Sequence, residues 1–376
     1  MMEVTWRYGE SQFPGFEADA RALAKMHASV GQASGFGARA FEPFEERLAQ
    51  ARTYFEGKPS RGTEKTAECF LRHYDLIRGA ARQVAAELPR ELAARLPRLT
   101  YDGEPGWVRV EVLATAFVVA AQVEVEPGPL QRFVRAYQEV TPLTNAELWA
   151  LPTMLRHSVL RALVSFLRQM RAIETDENGE PAVGMVSLLP ARGVEYSIRA
   201  LQRLAEIDWR SVFEATSLVE SVLRKDTAYA QLDFAARHAC RQAVEELAWD
   251  TGWSEEHVSE RAILLGVSAR LGGDGRAALE RGIDYRPPAS ERVRRELSAR
   301  PRLTDLGSFS VLTAIPLLAV ASLIVHAGGQ PFAIAMGTLL ALLPTSLLGA
   351  CGATRIVDKM GACPPRVTTP SPALRA

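Results

Sequence analysis

The sequence has no surplus of charge of either sign, because lysine plus arginine and aspartate plus glutamate each number 44. This balance argues against nucleic acid as a partner, since phosphate backbones are bound by surplus basic side chains. Cysteine is scarce, and its spacing shows neither a C-x-x-C pair nor a disulfide framework. We therefore predict structural thiols in a reducing compartment for Cys69, Cys240, Cys351 and Cys363.

Several catalytic motifs are also missing from the sequence. It contains no G-x-S-x-G, no H-E-x-x-H, no G-x-G-x-x-G and no Asp-x-Asp. Asp-x-Asp is the element with which transferases that use nucleotide sugars usually hold a metal and its diphosphate. Cys69 and His73 have the i, i+4 spacing of two metal ligands, but a structural zinc site needs four. Adjacent Glu245 and Glu246 diverge by about 100° on a helix and indicate a solvated face. We predict no catalytic, cofactor-binding or metal-binding residue in this chain.

A long segment lacks charge altogether, since residues 306–354 include no Asp, Glu, Lys or Arg. A helix needs roughly 20 apolar residues to cross a bilayer, so the segment has the length of two spans. We predict a transmembrane hairpin over 306–352, with spans 309–325 and 332–349 and a Gly-Gly turn between them. The alternative is a buried hairpin inside a soluble domain. Basic residues flank both ends, and no signal peptide is expected at the start. The pattern predicts an inner-membrane protein with two spans, both termini cytoplasmic and the lipid bilayer as a partner.

The rest of the chain is predicted to be helical, which makes the fold class all-α: a cytoplasmic helical bundle followed by the hairpin. We predict helices over 16–29, 64–88 and 107–125, the last of which could also be a strand because of its β-branched content.

Helix starts are marked by a capping box at Thr144 and Glu147 and by N-caps at Asp208 and Ser254. Proline and glycine clusters suggest the boundaries. We predict an N-terminal arm (1–62), a helical subdomain (63–174), a linker (175–193), a second helical subdomain (194–303), the hairpin, and a disordered tail (353–376).

Two blocks of sequence go beyond helix periodicity. The first, residues 130–156, reads LQRFVRAYQEVTPLTNAELWALPTMLR. The second begins at residue 207 as IDWRSVFEATSLVESVLR and continues with LDFAAR at 232–237 and AVEELA at 243–248. Together they resemble the N-terminal region of bacterial cyclic β-1,2-glucan synthases. The resemblance covers roughly residues 66–359 and keeps the order of the blocks.

The resemblance implies a membrane-anchoring and scaffolding part of a glucan synthase, truncated before its catalytic domains. UDP-glucose and Mg²⁺ or Mn²⁺ are then expected only for the missing domains, and the downstream catalytic part is an expected partner. The chain is either a split subunit or the product of a broken gene. An independent membrane-anchored adaptor without a carbohydrate role is the alternative. Residues of the first block are candidate packing or docking contacts, with a structural core containing buried ion pairs as the other interpretation: Arg135, Tyr137, Glu147, Trp149 and Arg156.

Overall fold

The computed structural model describes most of the chain between residues 15 and 341. The described residues are 15–29, 31–33, 44–57, 62–87, 96–101, 104–173, 188–271, 275–287, 301–328, 332, 336 and 339–341. The chain divides into two compact units, residues 1–282 together with 368–376, and residues 283–367.

The first unit is built mainly from helices. Its α-helices are α1 (Phe16–Ser29), α2 (Phe44–Glu56), α3 (Glu64–Arg72), α4 (Tyr74–Glu87), α5 (Arg109–Ala120), α6 (Pro127–Gln138), α7 (Asn145–Gln169), α8 (Pro190–Glu206), α9 (Trp209–Thr216), α10 (Leu218–Leu223), α11 (Thr227–Ala230), α12 (Phe234–Thr251), α13 (Glu255–Leu264) and α14 (Gly275–Gly282). A 3-10 turn, Ser268–Arg270, lies between α13 and α14.

Helix α7 forms the centre of this unit. It is 25 residues long and is buried on nearly every side, while α2, α4, α5, α8, α9 and α12 all pack against it. Its buried leucines each contribute roughly 1.5–3 kcal/mol relative to exposure to water, and its buried polar side chains require partners on the neighbouring helices. The predicted capping box is confirmed: the Thr144 hydroxyl accepts from the Glu147 amide, and the Glu147 carboxylate accepts from the Thr144 amide. This pairing sets the first residue of α7.

The predicted helix starts at Asp208 and Ser254 are also confirmed. The Asp208 carboxylate accepts from the backbone of Arg210, and the Ser254 hydroxyl accepts from the backbone of His257. A helix predicted over 16–29 is present as α1. By contrast, the helix predicted over 64–88 is divided at His73 into α3 and α4. Periodicity alone did not indicate this break, because the apolar side chains on both sides of His73 face the same core.

A small antiparallel sheet corrects the all-α prediction. Strands β1 (Gly31–Ala33), β2 (Arg98–Tyr101) and β3 (Glu104–Val108) pair in the order β1-β2-β3. Gly31 lies opposite Thr100, and Arg98 lies opposite Val108. These strands are too short to show an alternating pattern, and Pro105 with Gly106 is more typical of a loop. Trp107, which was predicted to start a helix, lies in β3, and the helix starts two residues later.

The core of the first unit is continuous from α1 to α9. Buried apolar side chains that contact one another extend from Ala20 to Phe213, and so include residues on both sides of the predicted linker. Most of that linker lies outside the described residues. The division into subdomains at 63–174 and 194–303 therefore stays a prediction. The disordered tail predicted over 353–376 lies outside the described residues.

The second unit contains helix α15 (Pro301–His326), which has Pro316 within it. Several of its apolar side chains are exposed, among them Ile315, Leu318 and Leu323. In the described parts of the chain, no helix combines the length and apolarity that a membrane span requires. This finding overturns the transmembrane hairpin at 306–352 and, with it, the predicted inner-membrane location with two spans and cytoplasmic termini. The sequence argument rested on an uncharged length, whereas a span needs one continuous apolar helix. Most of the predicted return span lies outside the described residues.

Candidate functional site

The five candidate residues of the first block lie on α6 and α7. Arg135 is exposed on α6, and its Nε donates to the backbone oxygen of Ala215 at 2.9 Å. The other four are buried.

Glu147 forms a buried ion pair with Arg109 on α5. Arg109 Nε donates to Glu147 Oε1 at 2.7 Å, and a second, shorter contact joins Nη2 to Oε2. Arg109 also donates to the backbone oxygen of Pro142 at 3.0 Å. Burial alone would lower the pKa of Arg109, but the hydrogen bond and charge of Glu147 outweigh it and raise that pKa. The raised pKa keeps Arg109 protonated, and its two contacts with Glu147 join the start of α5 to the start of α7.

Tyr137 is hydrogen bonded to His27 of α1. The Tyr137 hydroxyl lies 2.7 Å from His27 Nδ1, and the two rings meet edge to face with centroids 5.7 Å apart. Burial, with a smaller contribution from Arg109, lowers the pKa of His27 to about 4. Burial also raises the pKa of Tyr137. A neutral imidazole and a neutral phenol thus join α1 to α6.

Trp149 lies in a stack of rings and guanidinium groups. Its indole is nearly parallel to the Phe213 ring, with centroids 4.0 Å apart and planes 18° apart. The His238 ring packs edge-on against Trp149 at 5.1 Å. The Arg241 guanidinium lies over Phe213 at 5.0 Å and over Phe234 at 5.2 Å. Aromatic stacking and cation–π contacts of this kind each contribute on the order of 1 kcal/mol. We call these residues the aromatic joint.

The aromatic joint continues into a buried charge cluster around Glu220 of α10. Glu220 has no exposed surface, and its carboxylate accepts from Arg241 and from Tyr229, the latter at 2.7 Å. Arg237 and Arg224 pair with its other oxygen at 2.9 and 2.7 Å. Burial opposes ionisation, but Arg241 and these hydrogen bonds hold the pKa of Glu220 below its usual value. Glu220 is therefore a buried carboxylate that orients several cations.

Arg156 is buried against Glu87 at the end of α4. Arg156 Nη1 lies 3.5 Å from Glu87 Oε2, and the Thr153 hydroxyl donates to the same oxygen at 2.6 Å. Burial lowers the pKa of Arg156, and the charge of Glu87 partly offsets this. On the next position of α7, His157 lies 3.6 Å from Glu111 of α5, and burial lowers its pKa to about 3. Thr153, Arg156 and His157 of α7 thus each lie next to a carboxylate of a neighbouring helix.

Glu255 of α13 contacts the start of α7 and feels the charge of Glu245 on α12. The backbone amide of Asn145 donates to Glu255 Oε2 at 2.9 Å. Burial and the charge of Glu245 raise the pKa of Glu255 well above its usual value. Glu246, which was predicted to lie on a solvated face with Glu245, instead pairs with Arg276 at 2.5 Å. The two adjacent glutamates are half-buried, so the predicted solvated face is wrong for both.

Cys69 and His73, which have the spacing of two metal ligands in the sequence, contact each other. Cys69 Sγ lies 3.9 Å from His73 Nδ1, and burial raises the pKa of this thiol. Cys240 is buried. Over the described ranges, no group of three or more His, Cys, Asp or Glu residues is placed to hold a metal ion.

The partners of the buried candidate residues could not be predicted from the sequence. Arg109, His27 and Glu87 lie far along the chain from Glu147, Tyr137 and Arg156, so no local pattern links them. A signal for Glu220 was present, because this carboxylate lies among the apolar residues of α10. Charged residues are almost never fully buried unless they are paired, so an acidic residue in an apolar run indicates a buried partner.

Comparison with known proteins confirms the resemblance to a glucan synthase. The chain is 26% identical to the cyclic β-(1,2)-glucan synthase NdvB of Rhizobium meliloti (strain 1021), in an alignment of 392 residues that takes in 80% of this chain. The alignment takes in 14% of that synthase, so the chain spans a small part of its relative. No protein-family model matches the chain.

Proposed function

We propose that this chain is a helical scaffolding module in the synthesis of a glucose polymer, and that it does not transfer glucose by itself. Its relation to a region of a cyclic β-(1,2)-glucan synthase supports the link to glucan synthesis. The polymerising activity belongs, in this proposal, to a separate catalytic part that uses UDP-glucose with Mg²⁺ or Mn²⁺.

One observation supports the proposal: the four buried candidate residues of the first block contact other parts of the same chain. Trp149 stacks on Phe213, and Glu147 pairs with Arg109 in the core. The first block supplies Trp149 and the second supplies Phe213, so the two blocks meet in the aromatic joint. A residue that is fully engaged in holding helices together is not free to stabilise a transition state, which requires groups aimed at the reacting atoms. The contacts between the two blocks therefore favour a rigid module that positions the catalytic part and does not catalyse.

The test is incorporation of label from radioactive UDP-glucose by the purified full chain, with Mg²⁺ or Mn²⁺ present. We expect no incorporation by the chain alone, and incorporation that rises when the catalytic part of a glucan synthase is added in trans. Trp149→Ala should lose this stimulation, whereas Glu68→Ala, on the exposed face of α3, should keep it.

Two outcomes would contradict the proposal. Incorporation by the chain alone that survives removal of copurifying proteins would demonstrate a catalytic site of its own. A catalytic part whose rate does not respond to the chain would instead favour an independent adaptor with no carbohydrate role.

A further inference from the structure

One face of helix α13 is exposed to solvent. His257, Glu260 and Leu264 lie on this face at positions i, i+3 and i+7, and Leu264 is 76% exposed. The opposite side of α13 is buried through Val258 and Ala262. Residues three, four and seven apart share one side of a helix. The geometry of α13 therefore brings the three exposed side chains into one line.

Trp253 extends this line beyond the start of the helix. Its ring lies against the ring of His257, with centroids 4.7 Å apart and planes inclined by 58°. Glu260 Oε2 lies 3.9 Å from His257 Nδ1, which is longer than a hydrogen bond, and both side chains are more than half exposed. This spacing leaves the imidazole and the carboxylate able to bond to another molecule. We call Trp253, His257, Glu260 and Leu264 the α13 seam.

The order of residues in the α13 seam is suited to pairing with itself. Its spacings of four, three and four residues are those of helices that pack side by side. When α13 of a second copy runs antiparallel to the first, Trp253 faces Leu264 of the second copy. His257 then faces Glu260 of the second copy, because both pairs are centred on the same point of the helix. A two-fold axis makes each of these contacts occur twice.

The facing groups are complementary in chemistry. Indole and leucine are both apolar, so each Trp253–Leu264 contact removes apolar surface from water at one end of the seam. Between these ends, an imidazole N–H donor meets a carboxylate acceptor, which makes a charge-assisted hydrogen bond. In a parallel pair, Glu260 would instead face Glu260 of the second copy, and like charges repel. The seam therefore favours an antiparallel second copy as its occupant.

The length of the seam determines the strength of the pairing. Helix α13 has 10 residues, which corresponds to about 15 Å. A contact of this length belongs to the small interfaces, below about 1,200 Å² in total, which are typical of transient association. We expect a reversible dimer with a dissociation constant on the order of 100 µM.

We propose that two copies of this chain associate through an antiparallel pair of α13 helices. Trp253 and Leu264, which are exposed in one copy, are covered in the pair. The partner is a second copy of the chain, so this inference does not depend on the proposed role in glucan synthesis.

Sedimentation velocity of the full chain over a range of concentrations tests the pairing. We expect monomer to convert to dimer as the concentration rises. Leu264→Ala should raise the dissociation constant by about tenfold or more, because it removes both Trp253–Leu264 contacts. Leu189→Ala is the matched control and should dimerise as the wild type does, because Leu189 is a similarly exposed leucine, 71% exposed, next to the start of α8. Far-ultraviolet circular dichroism checks that both variants keep the wild-type helical content.

An exchange of the two polar residues tests the antiparallel arrangement. His257→Glu places two carboxylates opposite each other and should raise the dissociation constant by about tenfold or more. The double variant, His257→Glu with Glu260→His, exchanges donor and acceptor and should restore most of the association. A general effect of His257→Glu on folding would not be reversed by the second change.

Three results would overturn the proposal. The first is a wild-type chain that stays monomeric at several times the expected dissociation constant. The second is association that Leu264→Ala leaves unchanged, since the contact would then lie elsewhere on the chain. The third is a double variant that associates no better than His257→Glu alone, since the two residues would then not face each other.

Discussion

The indole of Trp149 on α7 stacks on the ring of Phe213 on α9, with centroids 4.0 Å apart. These residues are 64 positions apart in sequence (213 − 149) and belong to the two blocks that resemble glucan synthases. A contact between distant parts of a chain can be maintained only if both blocks keep their side chains. The two blocks are thus parts of one structural feature, the aromatic joint.

Removal of the Trp149 ring should destabilise the first unit strongly. Trp149 is 3% exposed, so Trp149→Ala leaves a cavity in the core as well as losing the stacking on Phe213. We expect a loss of roughly 3–5 kcal/mol in the free energy of unfolding, measured by urea denaturation. Trp249→Ala, which removes the same side chain from an exposed position, should change it by less than about 0.5 kcal/mol. Similar losses in both variants would contradict the buried position of Trp149.

Loss of the Glu220 carboxylate should lower the free energy of unfolding nearly as much as loss of the Trp149 ring. Glu220→Ala leaves Arg241, which is 1% exposed, without the anion that compensates its charge. Removing one partner of a buried ion pair typically costs about 3–5 kcal/mol. Glu68→Ala removes an exposed pair with Arg72 on α3 and should cost no more than about 1 kcal/mol. Equal urea midpoints for the two variants would show that the Glu220 cluster contributes no more than a surface pair.

Mild acid should destabilise the first unit through a buried histidine, His27, and a half-buried one, His238. The pKa of His27 and of His238 is lowered to about 4, mainly by burial, from an ordinary value of 6.5. A histidine whose folded pKa is depressed stabilises the fold above pH 6.5, and this contribution is lost as the pH falls towards 4. We expect the urea midpoint to fall between pH 7 and pH 5. In His27→Gln the urea midpoint should fall less between these two pH values than in the wild type. In Ala22→Gln, on the exposed face of α1, the midpoint should fall as much as in the wild type. An unchanged wild-type midpoint would contradict the burial of these rings.

Glu255 should have the opposite pH dependence. Its pKa is raised well above 4.5 by burial and by Glu245, so its contribution to stability is full below pH 4.5 and is lost as the pH rises through the folded pKa. The dipole of α13 favours an ionised carboxylate by roughly 0.3–1 kcal/mol, which is too little to reverse this shift. Glu255→Gln keeps an acceptor for the Asn145 amide and should raise the urea midpoint at pH 8 more than at pH 4. Glu256→Gln, in the same turn but exposed, serves as the control, and an equal effect of both changes would contradict the raised pKa.

Local features of the fold could be predicted from the sequence, whereas long-range partners could not. The capping box at Thr144 and the helix α1 depend on neighbouring residues, and both are present as expected. The sheet depends on pairing between Gly31 and Thr100, which no local pattern indicates. The predicted hairpin was wrong because absence of charge over a long segment does not by itself specify a continuous apolar helix.

In the candidate site, too, the sequence indicated individual residues but not their long-range partners. The resemblance identified Glu147 and Trp149 as residues of interest, but their roles depend on Arg109 and Phe213, which lie on other helices. The choice between a packing role and a docking role therefore required the three-dimensional contacts. Arg135 differs from the buried candidates, because its side chain is exposed and donates only to the backbone of α9 among the described hydrogen bonds.

The proposed role of this chain in glucan synthesis can be measured in cells of the native host. The measurement is the amount of cyclic β-1,2-glucan after deletion of the gene, with the wild-type gene and the Trp149→Ala gene restored in parallel. We expect that glucan falls on deletion, returns with the wild-type gene and does not return with Trp149→Ala. Glucan that is unchanged by deletion would contradict a role in its synthesis.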